Sequence, residues 1–255
     1  MVLAVGNGTA ATDPVTAAGP AEPASAPHAP LPPPGFMDGC LKLIEQERYD
    51  EARQLLEPVV ANHPGWARAQ LYLALTYHKE GRYELARGLF ERALAVDPEY
   101  HVAKFYYGWC LYYLGEPAAA RAMFEAFLVR KPDYADAIFA LALVDFDADD
   151  VESARTRLNR VIELAVAATD HATEAKARAR LADVLVRVGQ LAAARAELER
   201  SIELNPNNYE TYFKLSRVLD RLGDGAGAER ARQMHQQVRQ RIRPAVGSQP
   251  AHREP

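Results

Sequence analysis

Apolar and small side chains recur along most of this chain in pairs of helical stripes. Within a unit of 34 residues they occupy positions 4, 7, 8 and 11 and, after a polar stretch, positions 20, 24, 27 and 28. Spacings of three and four residues place side chains on one face of an α-helix. The pattern therefore predicts two amphipathic helices in each unit and an all-α fold.

Prolines mark the period of these units. Pro64, Pro98 and Pro132 recur at intervals of 34 residues, and Pro206 follows two periods and six residues later. With each proline at position 32, the frame gives six units: 33–66, 67–100, 101–134, 135–168, 175–208 and 209–242. Position 20, which does not define the frame, is alanine in all six units: Ala52, Ala86, Ala120, Ala154, Ala194 and Ala228. The chain therefore contains a genuine internal repeat.

Two further positions describe the geometry of each helix pair. Position 8 is always small: Cys40, Ala74, Gly108, Ala142, Ala182 and Ser216. Small side chains at positions 8 and 20 allow two helices to approach closely. Position 15 is glycine in four units, where a turn between helices needs a permissive backbone: Gly81, Gly115, Gly189 and Gly223. One such pair cannot bury its own apolar face, so we expect neighbouring units to stack.

A small residue at position 8, glycine at 15, alanine at 20, an aromatic residue or leucine at 24 and proline at 32 closely resemble the tetratricopeptide repeat family. The second unit is the best match, with Gly81, Ala86, Phe90, Ala93 and Pro98. The resemblance implies a right-handed superhelical solenoid of about six helix-turn-helix repeats over residues 35–242, with the first helix of each unit on the inner side. It also implies binding to other proteins, but the fold leaves the partner unspecified.

The two ends differ from the repeats. Residues 1–34 contain eight of the 17 prolines, only two charged residues and no aromatic residue. Such a segment has too little apolar surface to offset its ordering entropy, so we expect a disordered Ala/Pro-rich tail. We likewise expect residues 243–255 to be a disordered C-terminal tail.

Two irregularities interrupt the pattern. Asp145 is the only polar residue at position 11, and either the fourth unit is locally irregular or the carboxylate has a partner. The six inserted residues 169–174 are expected to lengthen the following helix, with Asp170 as its N-cap.

Composition and motifs limit the chemistry. The net charge of −4 and the pI of about 6.0 argue against a protein that coats nucleic acid. The acidic run from Asp145 to Asp150 imitates a calcium loop, but Asp150 stands where the loop needs glycine, and we expect a solvated acidic turn. No phosphate-binding, zinc-binding or nucleophile motif occurs, so we expect no enzyme activity, no cofactor and no metal. Cys40 and Cys110 fall on apolar helical faces, which favours a reducing, cytoplasmic setting.

A candidate binding groove follows from the helical wheel. Positions 2, 5, 6, 9, 12 and 13 of each first helix face away from the packed positions 7 and 11. In the third and fourth units this arc is rich in aromatic residues: Phe105, Trp109, Tyr112, Tyr113, Phe139 and Phe146. Basic residues flank them on the same arc: Lys79, Lys176, Arg180 and Arg187.

Exposed aromatic residues dominate binding hot spots, so this arc predicts a groove for an extended peptide or a partner helix. The alternative is that the tyrosines fill gaps between adjacent repeats. A nucleic-acid-binding helical repeat is the other function class, but it requires a regular basic and polar code on each first helix. We therefore expect a protein-interaction scaffold or adaptor, with a protein or peptide as partner and no nucleic acid.

Overall fold

The computed structural model describes residues 30–242, and both predicted tails lie almost wholly outside this range. Twelve α-helices and no strand occur in it, which confirms the predicted all-α class. In chain order they are α1 Phe36–Glu45, α2 Tyr49–Asn62, α3 Ala67–Lys79, α4 Tyr83–Val96, α5 His101–Tyr113, α6 Pro117–Leu128, α7 Ala135–Asp147, α8 Val151–Ala167, α9 His171–Arg187, α10 Leu191–Leu204, α11 Tyr209–Arg221 and α12 Gly225–Ile242.

The helices form two compact units, each of which contains several of the 34-residue repeats. The first unit ends at Val144 and the second begins at Asp145, within α7. In the first unit α1 packs on α2, α3 on α4 and α5 on α6, and each pair also contacts the next along the chain. In the second unit α8 packs on α9, α9 on α10, α10 on α11 and α11 on α12. The predicted helix pairs and their stacking are therefore present within each unit.

Small side chains hold each helix pair together. All six alanines at position 20 are completely buried: Ala52, Ala86, Ala120, Ala154, Ala194 and Ala228. At position 8, a Cβ atom built on Gly108 would lie 2.7 Å from Cε1 of Phe124, closer than real Cβ contacts allow. The approach of α5 to α6 therefore depends on glycine at this position.

The same turn ends the first helix of every repeat. The residue at position 15 has a positive φ in all six repeats: φ is 60° at Glu47, 63° at Asp149 and between 77° and 81° at the four glycines. The amide of position 16 then donates to the carbonyl of position 11 over 2.8–3.0 Å, as from Arg82 to Tyr77 and from Asp150 to Asp145. This is the Schellman arrangement, which satisfies carbonyls left open at a helix C-terminus.

The insertion lengthens two helices. Both α8 and α9 contain 17 residues, whereas α7 and α11 contain 13 and α10 contains 14. The Asp170 side chain accepts a hydrogen bond of 3.0 Å from the Thr173 amide, which confirms the predicted N-cap of α9. The turn between the two helices places Thr169 at a φ of 57°.

Asp145 has a partner. Its side chain is fully buried, and Oδ2 accepts a hydrogen bond of 2.7 Å from Nε of Arg157 on α8. Nearby, Asp150 caps α8 by accepting from the Ser153 amide over 3.2 Å. The acidic run thus makes structural contacts to its own helices, and the choice left open by the sequence is resolved in favour of a paired carboxylate.

We predict opposite effects for alanine at two helical glycines. Gly88 lies inside α4 with nothing within 4 Å of a Cβ added there, so Gly88→Ala should stabilise the protein by about 1 kcal/mol through helix propensity. Gly108→Ala must displace the buried Phe124 ring and should destabilise by about 1–3 kcal/mol. Urea denaturation followed by circular dichroism measures both changes. Equal effects of the two variants would contradict the close approach of α5 and α6.

We predict that Thr169→Gly stabilises the second unit. A left-handed backbone costs a non-glycine residue about 1–2 kcal/mol, and glycine removes this strain. Glycine also raises the conformational entropy of the unfolded chain, which lowers the stability of the fold by about 0.4–1 kcal/mol. The net gain should be about 0.5–1 kcal/mol, seen as a higher urea midpoint. Gly115→Ala is the matched control, because its φ of 79° and open surroundings isolate the same strain with the opposite sign. No change, or a loss, on Thr169→Gly would show that this turn carries no strain.

Candidate functional site

Stacked rings lie at the C-terminal end of α5 in the first unit. Tyr113 stacks on Tyr83 of α4 with ring centroids 4.8 Å apart and on Trp109 with centroids 5.9 Å apart. Tyr112 meets Trp109 edge-on at 5.8 Å, and Phe124 meets it edge-on at 5.5 Å. We call Tyr83, Trp109, Tyr112 and Tyr113 the aromatic row.

The aromatic row is partly open to solvent. Tyr113 is 37% exposed, while Tyr83, Trp109 and Tyr112 are half-buried. Neighbouring rings hold each other in place, so contact with a ligand would cost little side-chain entropy. The row therefore offers a rigid apolar surface with polar hydroxyl edges.

His78 of α3 lies against the aromatic row. Its ring is 5.3 Å from that of Tyr83 and 6.0 Å from that of Tyr113, and it also contacts Phe90 at 6.2 Å. Burial lowers the pKa of His78 to about 4, and the positive charge of Lys79 contributes to the same shift. Nδ1 is buried and has no hydrogen-bond partner within residues 30–242. The imidazole is therefore neutral at pH 7 and adds no charge to the row.

Two residues predicted to face the groove are buried instead. Phe105 is 6% exposed and Phe139 is 3% exposed, so the expectation that they face solvent is wrong. The Phe105 ring packs 5.1 Å from Phe127 of α6 and 5.4 Å from Tyr134, which precedes α7. A wheel for one helix leaves out the residues that lead into the next repeat, and one of these, Tyr134, covers Phe105.

The predicted basic residues are divided between the units. Lys79 is exposed in the first unit, whereas Lys176, Arg180 and Arg187 belong to α9 in the second. Arg187 donates to Asp149 over 2.5 Å, and its guanidinium lies 4.2 Å from the centre of the Phe146 ring. The second unit thus covers Phe146 with a cation and neutralises that cation with a carboxylate.

A shallow pocket of about 120 Å³ lies between α9, α10 and α11 in the second unit. Nζ of Lys214 is 2.6 Å from Oδ2 of Asp183, and Arg180 donates to the same oxygen over 3.3 Å. We call this the basic pocket and define it by its lining residues: Ala182, Asp183, Val186, Leu198, Lys214, Arg217, Val218 and Arg221.

Sequence reasoning missed two members of these sites. Tyr83 begins a second helix, so the positions counted on first helices excluded it, although it packs on Tyr113. Lys214 occupies position 6 of the sixth repeat, which is one of the positions assigned to the open arc. Applying the helical wheel to that repeat therefore identifies it.

The two cysteines are structural. Both are fully buried, and burial raises the pKa of Cys40 to about 11 and that of Cys110 to about 12. Cys110 Sγ donates to the carbonyl of Tyr83 over 3.2 Å. Since the thiolate is the reactive form, both thiols are inert at neutral pH. Across residues 30–242 no three metal-binding side chains come together.

Comparison with known proteins agrees with the repeat geometry. Two sequence profiles, both described as tetratricopeptide repeat, match most of the chain: one over residues 41–101, 79–135 and 108–169 and the other over 175–218. This chain belongs to the tetratricopeptide repeat family. No curated protein sequence matches it.

Solved structures share its fold at low identity. PilW, described as a widely conserved type IV pilus biogenesis factor, is 19% identical, with a TM-score of 0.70 over 83% of this chain and 94% of its own. PilF of Pseudomonas aeruginosa is 17% identical, with a TM-score of 0.65 over 83% and 91%. YrrB, described as a TPR protein with an unusual peptide-binding site, is 17% identical, with a TM-score of 0.54 over 72% and 91%. At these identities the likeness establishes the fold alone.

None of the helices between residues 30 and 242 combines the length and the apolar character needed to cross a bilayer.

We predict that His78 makes stability fall in mild acid. The folded-state pKa of about 4 lies below the unfolded value of 6.5, so the unfolded chain binds the proton first as the pH falls. The stabilisation is complete above pH 6.5 and is lost progressively down to pH 4, with a loss of about 2 kcal/mol by pH 5.

His78→Phe removes this contribution, because phenylalanine does not titrate and can pack among the same rings. Unfolding free energies at pH 7.5 and pH 5.0 should therefore differ less in the variant than in the wild type. His171→Phe is the control at an exposed histidine of α9. An unchanged pH dependence in His78→Phe would show that the imidazole is solvated.

Proposed function

We propose that this chain is a protein-interaction scaffold and that the aromatic row of its first unit binds an extended peptide or a partner helix. The observation that carries the proposal is the exposure of Tyr113, 37%, at the centre of two stacked ring pairs. A large aromatic side chain held open in this way offers contact area at little entropic cost.

Chemistry at the site supports binding over catalysis. His78, the titratable group beside the row, is neutral, and its Nδ1 has no hydrogen-bonded partner within the described residues to orient the ring as an acid or base. Membership in the tetratricopeptide repeat family supports a partner-binding role, and YrrB, with its unusual peptide-binding site, supplies one precedent for peptide binding on this fold. The buried, free thiols agree with a cytoplasmic location.

Partners of the row should present apolar anchors. The faces of the tyrosine rings and the Trp109 indole can cover apolar side chains. Lys79, exposed at the end of α3, is a basic residue of the first unit on the same predicted arc. We therefore propose an aromatic- or aliphatic-rich peptide as the ligand.

We predict that Tyr113→Ala weakens peptide binding at least tenfold. Peptides enriched from a random twelve-residue library are titrated into protein carrying Trp66→Phe, so that Trp109 is the sole tryptophan and reports contact by its fluorescence. Loss of a central aromatic contact typically costs about 2 kcal/mol or more, and about 1.4 kcal/mol corresponds to a tenfold change in affinity.

Phe213→Ala is the matched control, since Phe213 of α11 is an aromatic residue of the second unit with 48% exposure. Circular dichroism establishes that each variant is folded. The proposal fails if no peptide changes the Trp109 emission, or if Tyr113→Ala binds peptide as tightly as Phe213→Ala.

A further inference from the structure

The basic pocket has an apolar floor and a charged rim. Half-buried Val186 of α9 and the buried Leu198 of α10 and Val218 of α11 form the aliphatic lining, while the charged side chains stand beside it on α9 and α11. Surfaces of this kind suit a ligand that combines one aliphatic group with adjacent charge.

The charge on the rim is positive. Within residues 30–242, Asp183 is the only carboxylate that lines the pocket, and it accepts hydrogen bonds from Lys214 at 2.6 Å and from Arg180 at 3.3 Å. Desolvation lowers the pKa of Lys214, although Asp183 opposes the shift, as expected for an ammonium sheltered from water. The Asp183 carboxylate therefore already pairs with two cations, and Arg217 and Arg221 add further positive charge to the rim.

Arg217 and Arg221 have no carboxylate partner among residues 30–242, although both line the pocket. Several other arginines of the second unit are paired, as Arg232 is with Asp220 at 2.8 Å and Arg187 is with Asp149, so what sets Arg217 and Arg221 apart is their place at the pocket. Arg217 and Arg221 are four residues apart on α11, so they stand one helical turn, about 6 Å, from each other. Carboxylates at alternate positions of an extended peptide are separated by about 6.6 Å, a matching distance.

We infer that the basic pocket binds an acidic segment of a partner protein, in which carboxylates at alternate positions pair with Arg217 and Arg221 and an adjacent aliphatic side chain covers Val186. This acidic-segment site deepens the proposed scaffold function and rests on it. It adds a chemical preference and a second contact site, on a unit that does not contain the aromatic row.

The decisive experiment is a selection from a random twelve-residue peptide library with the full chain, followed by fluorescence anisotropy with the enriched peptides. Enriched sequences should contain Asp or Glu at alternate positions beside Leu, Ile or Val. Arg217→Ala and Arg221→Ala should each weaken binding about fivefold, as a partly exposed ion pair contributes up to about 1 kcal/mol. Replacing the peptide's carboxylates with amides should have a similar effect.

Arg230→Ala with Arg239→Ala is the matched control for Arg217→Ala with Arg221→Ala. Both arginines of the control are exposed on α12, and removing them changes the net charge equally. If the two double variants lose the same peptide affinity, the change in net charge alone explains the effect, and the inference is overturned. A selection that enriches no acidic peptide, or acidic peptides that bind the Arg217 and Arg221 variants unchanged, would also overturn it.

A polythymidine 12-mer distinguishes phosphate from carboxylate as the anion. Binding of this oligonucleotide in preference to the acidic peptides would replace the inference with a nucleic-acid contact. Failure of the pocket and failure of the proposed function have different signatures. A peptide that loses affinity on Tyr113→Ala but is unaffected by Arg217→Ala with Arg221→Ala supports the aromatic row alone and overturns the pocket, whereas no binding to any peptide contradicts both.

Discussion

Close contact between two helices at small side chains is the constraint on which the rest of the structure depends. Where Gly108 faces Phe124, no atom can be added without moving the ring. On the second helix of every repeat, the alanine at position 20 is completely buried. Because the helices approach this closely, larger side chains near the contact lie either between neighbouring repeats or at the surface. Both outcomes occur among the aromatic residues of α5.

These two outcomes explain how much of the molecule the sequence could predict. Helix pairs, the turn at position 15 and the Asp170 cap follow from local spacing and backbone preference, and all of them are present. The exposure of side chains on the inner arc depends on the neighbouring repeat, which a wheel for one helix leaves out. The wheel therefore places Phe105 in solvent although Tyr134 covers it, and it does not include Tyr83, which stacks on Tyr113.

Polar groups follow the same division between local and non-local causes. Asp150 and Asp170 cap helices through their own neighbours, which a sequence motif can predict. The partner of Asp145 lies twelve residues away on α8, and the partner of Lys214 lies on another helix pair. Such ion pairs depend on which faces meet after stacking, so the pattern of a single repeat leaves the partner of Asp145 undecided and does not predict the pairing of Lys214 with Asp183.

The repeated turn has a consequence for the way this chain folds. Every Schellman bond closes a loop of six residues, and the helix contacts of both units join neighbours along the chain or the next helix but one. Little loop entropy has to be lost before such contacts form, so a low contact order and rapid folding are expected. Cooperativity in an array of this kind passes from each pair to the next. A ligand held on one pair therefore protects that pair and its neighbours from local opening more than it protects the distant end of the unit.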